Sequence, residues 1–126
     1  MRLILDSGAL IALERRDRAM WRRFKSAMVA GRVPLSHGGV VGQVWRGRGP
    51  RQALLAQALA GIEVRAIDRA LGLAAGELLA RSGGGGVIDA ALVALADDGD
   101  QIVTSDVGDL ARLAAASGRH VEVNQT

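Results

Sequence analysis

A three-layer α/β/α sandwich on a mostly parallel sheet of about five strands follows from three features of the sequence. Short apolar runs alternate with longer amphipathic segments along the chain, and strands alternating with helices imply parallel crossover connections. The first run, Leu3-Ile4-Leu5, is apolar at every position, as suits a strand buried on both faces. No linker, repeat or shift of composition divides the 126 residues, so residues 1–126 read as one domain with enough chain for one core.

Leu3–Leu5 is the first strand; Ser7-Gly8 breaks it and a short helix runs to Glu14. Arg15 to Arg18 is a polar break. A second helix spans about Ala19 to Ala30, with Met20, Phe24, Ala27 and Met28 at helical spacing and Gly31 as the expected C-cap. Val33 to Ser36 is the second strand, and Pro34 argues for an edge or terminal position because it cannot donate to a ladder. His37-Gly38-Gly39 reads as a turn, with His37 a loop residue rather than a ligand. Val40 to Arg46 is helical, and its spacing places Gln43 with Val40 on the buried side. Arg46 to Arg51 is a basic loop, solvated or in contact with phosphates. Gln52 to Ala60 is a helix closed by Gly61, and Ile62 to Ile67 alternates as the third strand. Asp68 caps a helix to about Arg81. Ser82 to Gly86 is a glycine loop that lacks both the Walker and the dinucleotide pattern. Val87 to Ala96 is a very apolar helix, followed by the turn Asp97 to Asp100. Gln101 to Thr104 is the fourth strand, Val107 to Ala116 the last helix, and Val121 to Val123 the last strand.

The absence of cysteine excludes disulfides, thiolate metal sites and cysteine nucleophiles, and agrees with an intracellular setting. No signal peptide is visible, and no stretch nears the ~20 apolar residues of a membrane span. The formal charge is +3, and Lys25 is the only lysine. Arginine-borne charge suits phosphate partners, although a biased coding composition gives the same count. Trp21, Phe24 and Trp45 are the only aromatics, too few for a base-stacking platform.

Two strands end in aspartate, at Leu5-Asp6 and at Val103-Thr104-Ser105-Asp106, and Asp89 lies in the first turn of the apolar helix. Each has a plain structural reading. Asp6 alone reads first as an N-cap. Asp106 with Asp109 resembles an N-cap arrangement, and Asp89 favours its helix dipole. In a parallel sheet, however, strand carboxyl ends and the following helix amino ends share one edge, where open α/β sheets bind ligands. Three carboxylates gathered there repel one another, and a divalent cation removes that cost. Oxygen ligands without Cys or His select Mg2+ or Mn2+, ions that serve phosphodiester hydrolysis.

Together these residues resemble a PIN domain of the VapC toxin type, over nearly the whole chain. The likeness rests on Leu3-Ile4-Leu5-Asp6-Ser7-Gly8-Ala9-Leu10, Val40-Val41-Gly42-Gln43-Val44-Trp45-Arg46, Val87-Ile88-Asp89-Ala90-Ala91 and Val103-Thr104-Ser105-Asp106. It implies a Mg2+- or Mn2+-dependent endoribonuclease, homodimeric and cytoplasmic, acting on RNA such as tRNA or another structured RNA and blocked by a VapB-type antitoxin. It carries over Asp6, Asp89 and Asp106 as metal ligands, Asp109 as an accessory acid, and Ser7 and Thr104 as polar supports. It also implies that an inhibitor inserts an arginine into the acidic cleft, beside an apolar partner surface around Leu10, Leu13, Met20 and Phe24. Two positions depart from the pattern: Gln43 stands where the family has glutamate, and the Gly83–Gly86 run replaces a polar or acidic loop.

The Gln43 amide keeps an oxygen but loses a charge, so a degenerate domain that binds RNA or a partner without efficient catalysis is the alternative. A receiver-type phosphorylation switch needs a late lysine, and Lys25 comes too early. A haloacid-type phosphatase needs Asp-x-Asp, which Asp6-Ser7-Gly8 lacks.

Overall fold

The computed structural model describes residues 1–126. Its elements run β1 (Leu3–Leu5), α1 (Ser7–Glu14), α2 (Arg18–Val29), β2 (Leu35–His37), α3 (Gly38–Val44), α4 (Pro50–Ala60), β3 (Glu63–Arg65), α5 (Arg69–Ser82), α6 (Val87–Ala94), β4 (Gln101–Thr104), α7 (Val107–Ser117) and β5 (Glu122–Gln125). The five strands form one sheet in the order β3-β2-β1-β4-β5, and all four pairings are parallel. The chain moves outward from β1 to β2 and β3, then crosses back and moves the other way through β4 and β5. Right-handed crossovers in opposite directions lie on opposite faces. Accordingly α1 packs with α2, α3 and α4, whereas α5, α6 and α7 pack with one another. A contiguous cluster of buried apolar side chains, from Leu10 and Leu55 to Leu78 and Leu113, fills both interfaces and makes the three layers.

Burial explains the strand sequences. Leu3, Ile4 and Leu5 in β1 and Ile102 and Val103 in β4 are buried, as central strands covered on both faces must be. The edge strand β3 is exposed throughout, which is why it carries Glu63 and Arg65. Beneath the opposite, amino edge of the sheet, buried Asp100 accepts from the backbone N–H groups of Arg2 (2.7 Å) and Asp97 (2.8 Å) and pairs with the Arg2 guanidinium. Gln52, also buried, accepts from the amides of Arg46 (2.7 Å) and Gly47 (3.1 Å) and donates to Glu14, fastening the basic loop to α1. No helix is long and apolar enough to cross a membrane.

Several local expectations change. The second strand begins two residues later than expected, and of the edge or terminal position that Pro34 argued for the structure shows the terminal one, since β2 is internal to the sheet. Pro34 sits just before it, where its missing N–H costs no ladder bond while its carbonyl accepts from Glu63 N–H at 2.8 Å. The second helix is capped at Ala30, and Gly31 follows with φ 73°. Leu10, Leu13, Met20 and Phe24 are at most 3% exposed, so they are core and offer no partner surface. Gln43 is exposed instead of sharing the buried side, because Val40 and Val44 alone point inward from so short a helix.

Candidate metal centre

The strand order reverses between β1 and β4, and the crevice at a parallel sheet's carboxyl edge opens at such a reversal. Asp6 ends β1 at that point, and Asp106 follows β4 beside it. The two strands are held in register over Leu3↔Gln101, Ile4↔Ile102 and Leu5↔Val103, and Asp6 N–H donates to Val103 O at 3.3 Å. On the other side β1 and β2 share a single register pair, Ile4↔Leu35. The buried Ser36 hydroxyl takes over there, donating to Leu5 O at 2.8 Å.

Asp6 is 6% exposed and caps α1, one carboxylate oxygen accepting from Ala9 N–H at 3.0 Å. The structural reading of this residue is therefore correct, and it fixes the carboxylate at the crevice. Burial holds its proton affinity above the ordinary carboxylate range and the Asp106 charge adds to this, while Thr104 and the Ala9 and Gly8 amides pull it back. Asp89 lies in the first turn of α6 and is half-buried. Burial raises its proton affinity first, followed by the charges of Asp6, Asp109 and Asp106; His37 acts in the opposite sense.

Asp106 occupies the N-cap position of α7 but makes no side-chain cap bond, so its carboxylate stays free and exposed. Its backbone is fixed instead: Asp106 N–H donates to the buried Thr104 hydroxyl at 2.9 Å. Asp109 is exposed in the first turn of α7 and stands 3.6 Å from Arg112. Ser7 is half-buried at the start of α1. Gln43 is exposed and its side chain makes no hydrogen bond, while its backbone carbonyl accepts from Arg46 at 3.1 Å.

At the switch point Asp89 thus feels the charges of Asp6, Asp109 and Asp106, and Asp6 that of Asp106. As oriented, no three carboxylate or imidazole groups converge tightly enough to cage an ion. The donor chemistry nevertheless suits a hard dication: every candidate ligand is an oxygen, and the shared repulsion is of the kind a cation relieves. Close packing seats the start of α1 against the β4–α7 loop. A Cβ on Gly8 would lie 2.1 Å from Ser105 Oγ and 2.8 Å from Ser105 N, so α1 approaches the β4–α7 loop as only glycine allows.

His37 is not a loop residue. It is fully buried, ends β2 and caps α3: Nδ1 accepts from Gly39 N–H (3.1 Å) and Val40 N–H (3.4 Å), and Nε2 faces Ile88 O at 2.9 Å. Two amides facing Nδ1 and a carbonyl facing Nε2 require the neutral Nε2–H tautomer. Burial accordingly pushes its proton affinity below the ordinary histidine value, against the Ile88 bond and the Asp89 charge. The available signal was position: His37 follows a strand at the same edge as Asp6. The glycine run has a local reason too. Gly83, Gly84 and Gly85 all have positive φ, turning the chain between α5 and α6, and Gly86 occupies the N-cap position of α6.

No family model matches the chain, and no curated protein matches it in sequence. Solved structures do match in shape. A chain of VapBC2 from Rickettsia felis, bound to a DNA fragment from its promoter, superposes with a TM-score of 0.72 at 14% identity, covering 98% of both chains. A chain of DNA-bound VapBC from Salmonella typhimurium gives 0.68 at 18% identity with the same coverage. Strand order, layer arrangement and full-length superposition together identify the architecture as the PIN-like α/β/α fold.

Proposed function

We propose that this chain is a VapC-type toxin: a Mg2+- or Mn2+-dependent endoribonuclease of the cytoplasm, homodimeric and restrained by a VapB-type antitoxin. The observation that carries the reading is placement: Asp6 and Asp106 follow the paired strands β1 and β4 at the switch point, and Asp89, on the first turn of α6, is near enough for their charges to raise its proton affinity beyond what burial does. The full-length likeness to chains of two VapBC complexes supports the family and the antitoxin partner. Asp6, Asp89 and Asp106 would hold the ion, with Asp109 as accessory acid. When bound, the ion would supply a more acidic water and neutralise charge developing on the phosphate. The chain's own part is to place three carboxylates: Asp6 by its cap on α1, Asp106 through Thr104, and Asp89 on the first turn of α6.

The test is cleavage of a structured RNA with Mg2+ or Mn2+ titrated in, for the natural protein beside Asp6→Asn. Metal-dependent cleavage by the first and none by the second supports the reading. Equal, metal-independent traces in both reject it.

The exposed Gln43 favours a second reading, a degenerate domain that binds RNA or a partner protein without efficient catalysis. On that reading Gln43→Glu creates activity. Efficient cleavage by the natural protein rules it out.

A further inference from the structure

We infer that His37 is a positioning residue for Asp89, acting through the carbonyl of Ile88. This rests on the proposed role of Asp89 as a metal ligand. The first turn of α6 has little to hold it locally. Its N-cap position is Gly86, which offers no side chain, and three positive-φ glycines precede that. The restraint comes from another strand: His37 Nε2–H donates to Ile88 O at 2.9 Å, one residue before Asp89. The ring cannot swing away, because Nδ1 is bound to the first amides of α3. Packing closes the joint. A Cβ on Gly39 would lie 2.5 Å from Ile88 Cδ1 and 3.0 Å from His37 Cε1, so the α3 amino end, the imidazole and Ile88 meet closely, and a methyl group there would push the Ile88 side chain aside. One buried side chain thus ties the ends of β2 and α3 to the turn bearing Asp89.

Two substitutions separate the bonds. His37→Asn places an amide oxygen where Nδ1 stands, keeping the cap but falling short of Ile88. His37→Gln places an amide N–H where Nε2–H stands, keeping the tie. Mn2+ affinity, read by electron paramagnetic resonance, is compared for the natural protein, both variants and Asp89→Asn. Amide exchange over Ala90–Leu92 is followed in the metal-free proteins. His37→Asn is expected to stay folded, to bind Mn2+ about ten- to a hundredfold more weakly, and to exchange these amides about tenfold faster. His37→Gln should hold both close to the natural values. If Asp89→Asn loses Mn2+ while His37→Asn binds it as the natural protein does, or if exchange in His37→Asn is unchanged, the role of His37 is refuted and the metal site stands. If the natural protein binds no Mn2+, the metal site itself fails and this inference with it.

Discussion

Replacing Asp89 by asparagine should stabilise the metal-free protein while removing its affinity for divalent cations. Asp89 bears the charges of Asp6, Asp106 and Asp109 in addition to partial burial. A carboxylate pair at protein-surface dielectric repels by roughly 1–3 kcal/mol. Asp106 and Asp109 are exposed, so solvent holds their share at the low end. Against this, Asp89 is the acid in the first turn of α6 and favours its dipole, an effect of about 0.5 kcal/mol that asparagine gives up. The balance is a gain of about 1 kcal/mol, or a rise in Tm of about 3–5 °C for a domain of this size. The assay is thermal unfolding by circular dichroism at neutral pH with chelator, at low and high salt. High salt should shrink the gain, because screening weakens the repulsion. The sign with pH follows from linkage. Asp6 and Asp89 have raised folded-state proton affinities, so they destabilise the native state above those values. That cost is relieved as pH falls toward the unfolded-state value. Added Mn2+ should raise the Tm of the natural protein and leave Asp89→Asn unmoved. An Asp89→Asn variant that melts below the natural protein in chelator and low salt refutes the argument, since its carboxylate would then not be under repulsion.

Other consequences concern the frame around the site. Gly8→Ala would drive a methyl group against Ser105 N, so it should destabilise by about 1–3 kcal/mol and weaken Mn2+ binding by parting Asp6 from Asp106; chemical denaturation and metal titration measure both. Gln52→Ala leaves the Arg46 and Gly47 amides without their acceptor and should cost about 2 kcal/mol in urea unfolding, with Mn2+ affinity unchanged. Burial would raise the proton affinity of Asp100, but the Asp97 and Arg2 amides and the Arg2 guanidinium outweigh it and hold the carboxyl below its ordinary value. Its stabilisation is thus complete above the unfolded-state value and lost as pH falls through the folded one. Asp100→Asn should flatten that acid limb of a stability-against-pH curve.

The parallel sheet and the acidic edge were legible because both follow from periodicity. Leu3-Ile4-Leu5, bounded by a turn signal, suits a doubly covered strand, and alternation of elements brings the aspartates after β1 and β4 to one edge of the sheet. What escaped was the partner of each polar group. A histidine beside two glycines looks like a turn until Ile88, far along the chain, supplies the carbonyl that makes burial favourable. Gln52 and Asp100 escaped likewise, their partners lying in other elements. Helix faces were misjudged where the helix was short: seven residues in α3 gave too little periodicity to place Gln43, which proved exposed. Leu10, Leu13, Met20 and Phe24 lie on an apolar stripe, which reads the same whether it meets a partner or the protein's own core; here it meets the core.

The most direct trial of the central claim is a crystal of the protein soaked in Mn2+ and measured at the manganese absorption edge. An anomalous peak is expected in the crevice between β1 and β4, with oxygen atoms of Asp6, Asp89 and Asp106 around it. Manganese bound elsewhere on the surface, with that crevice empty at millimolar ion, would contradict it.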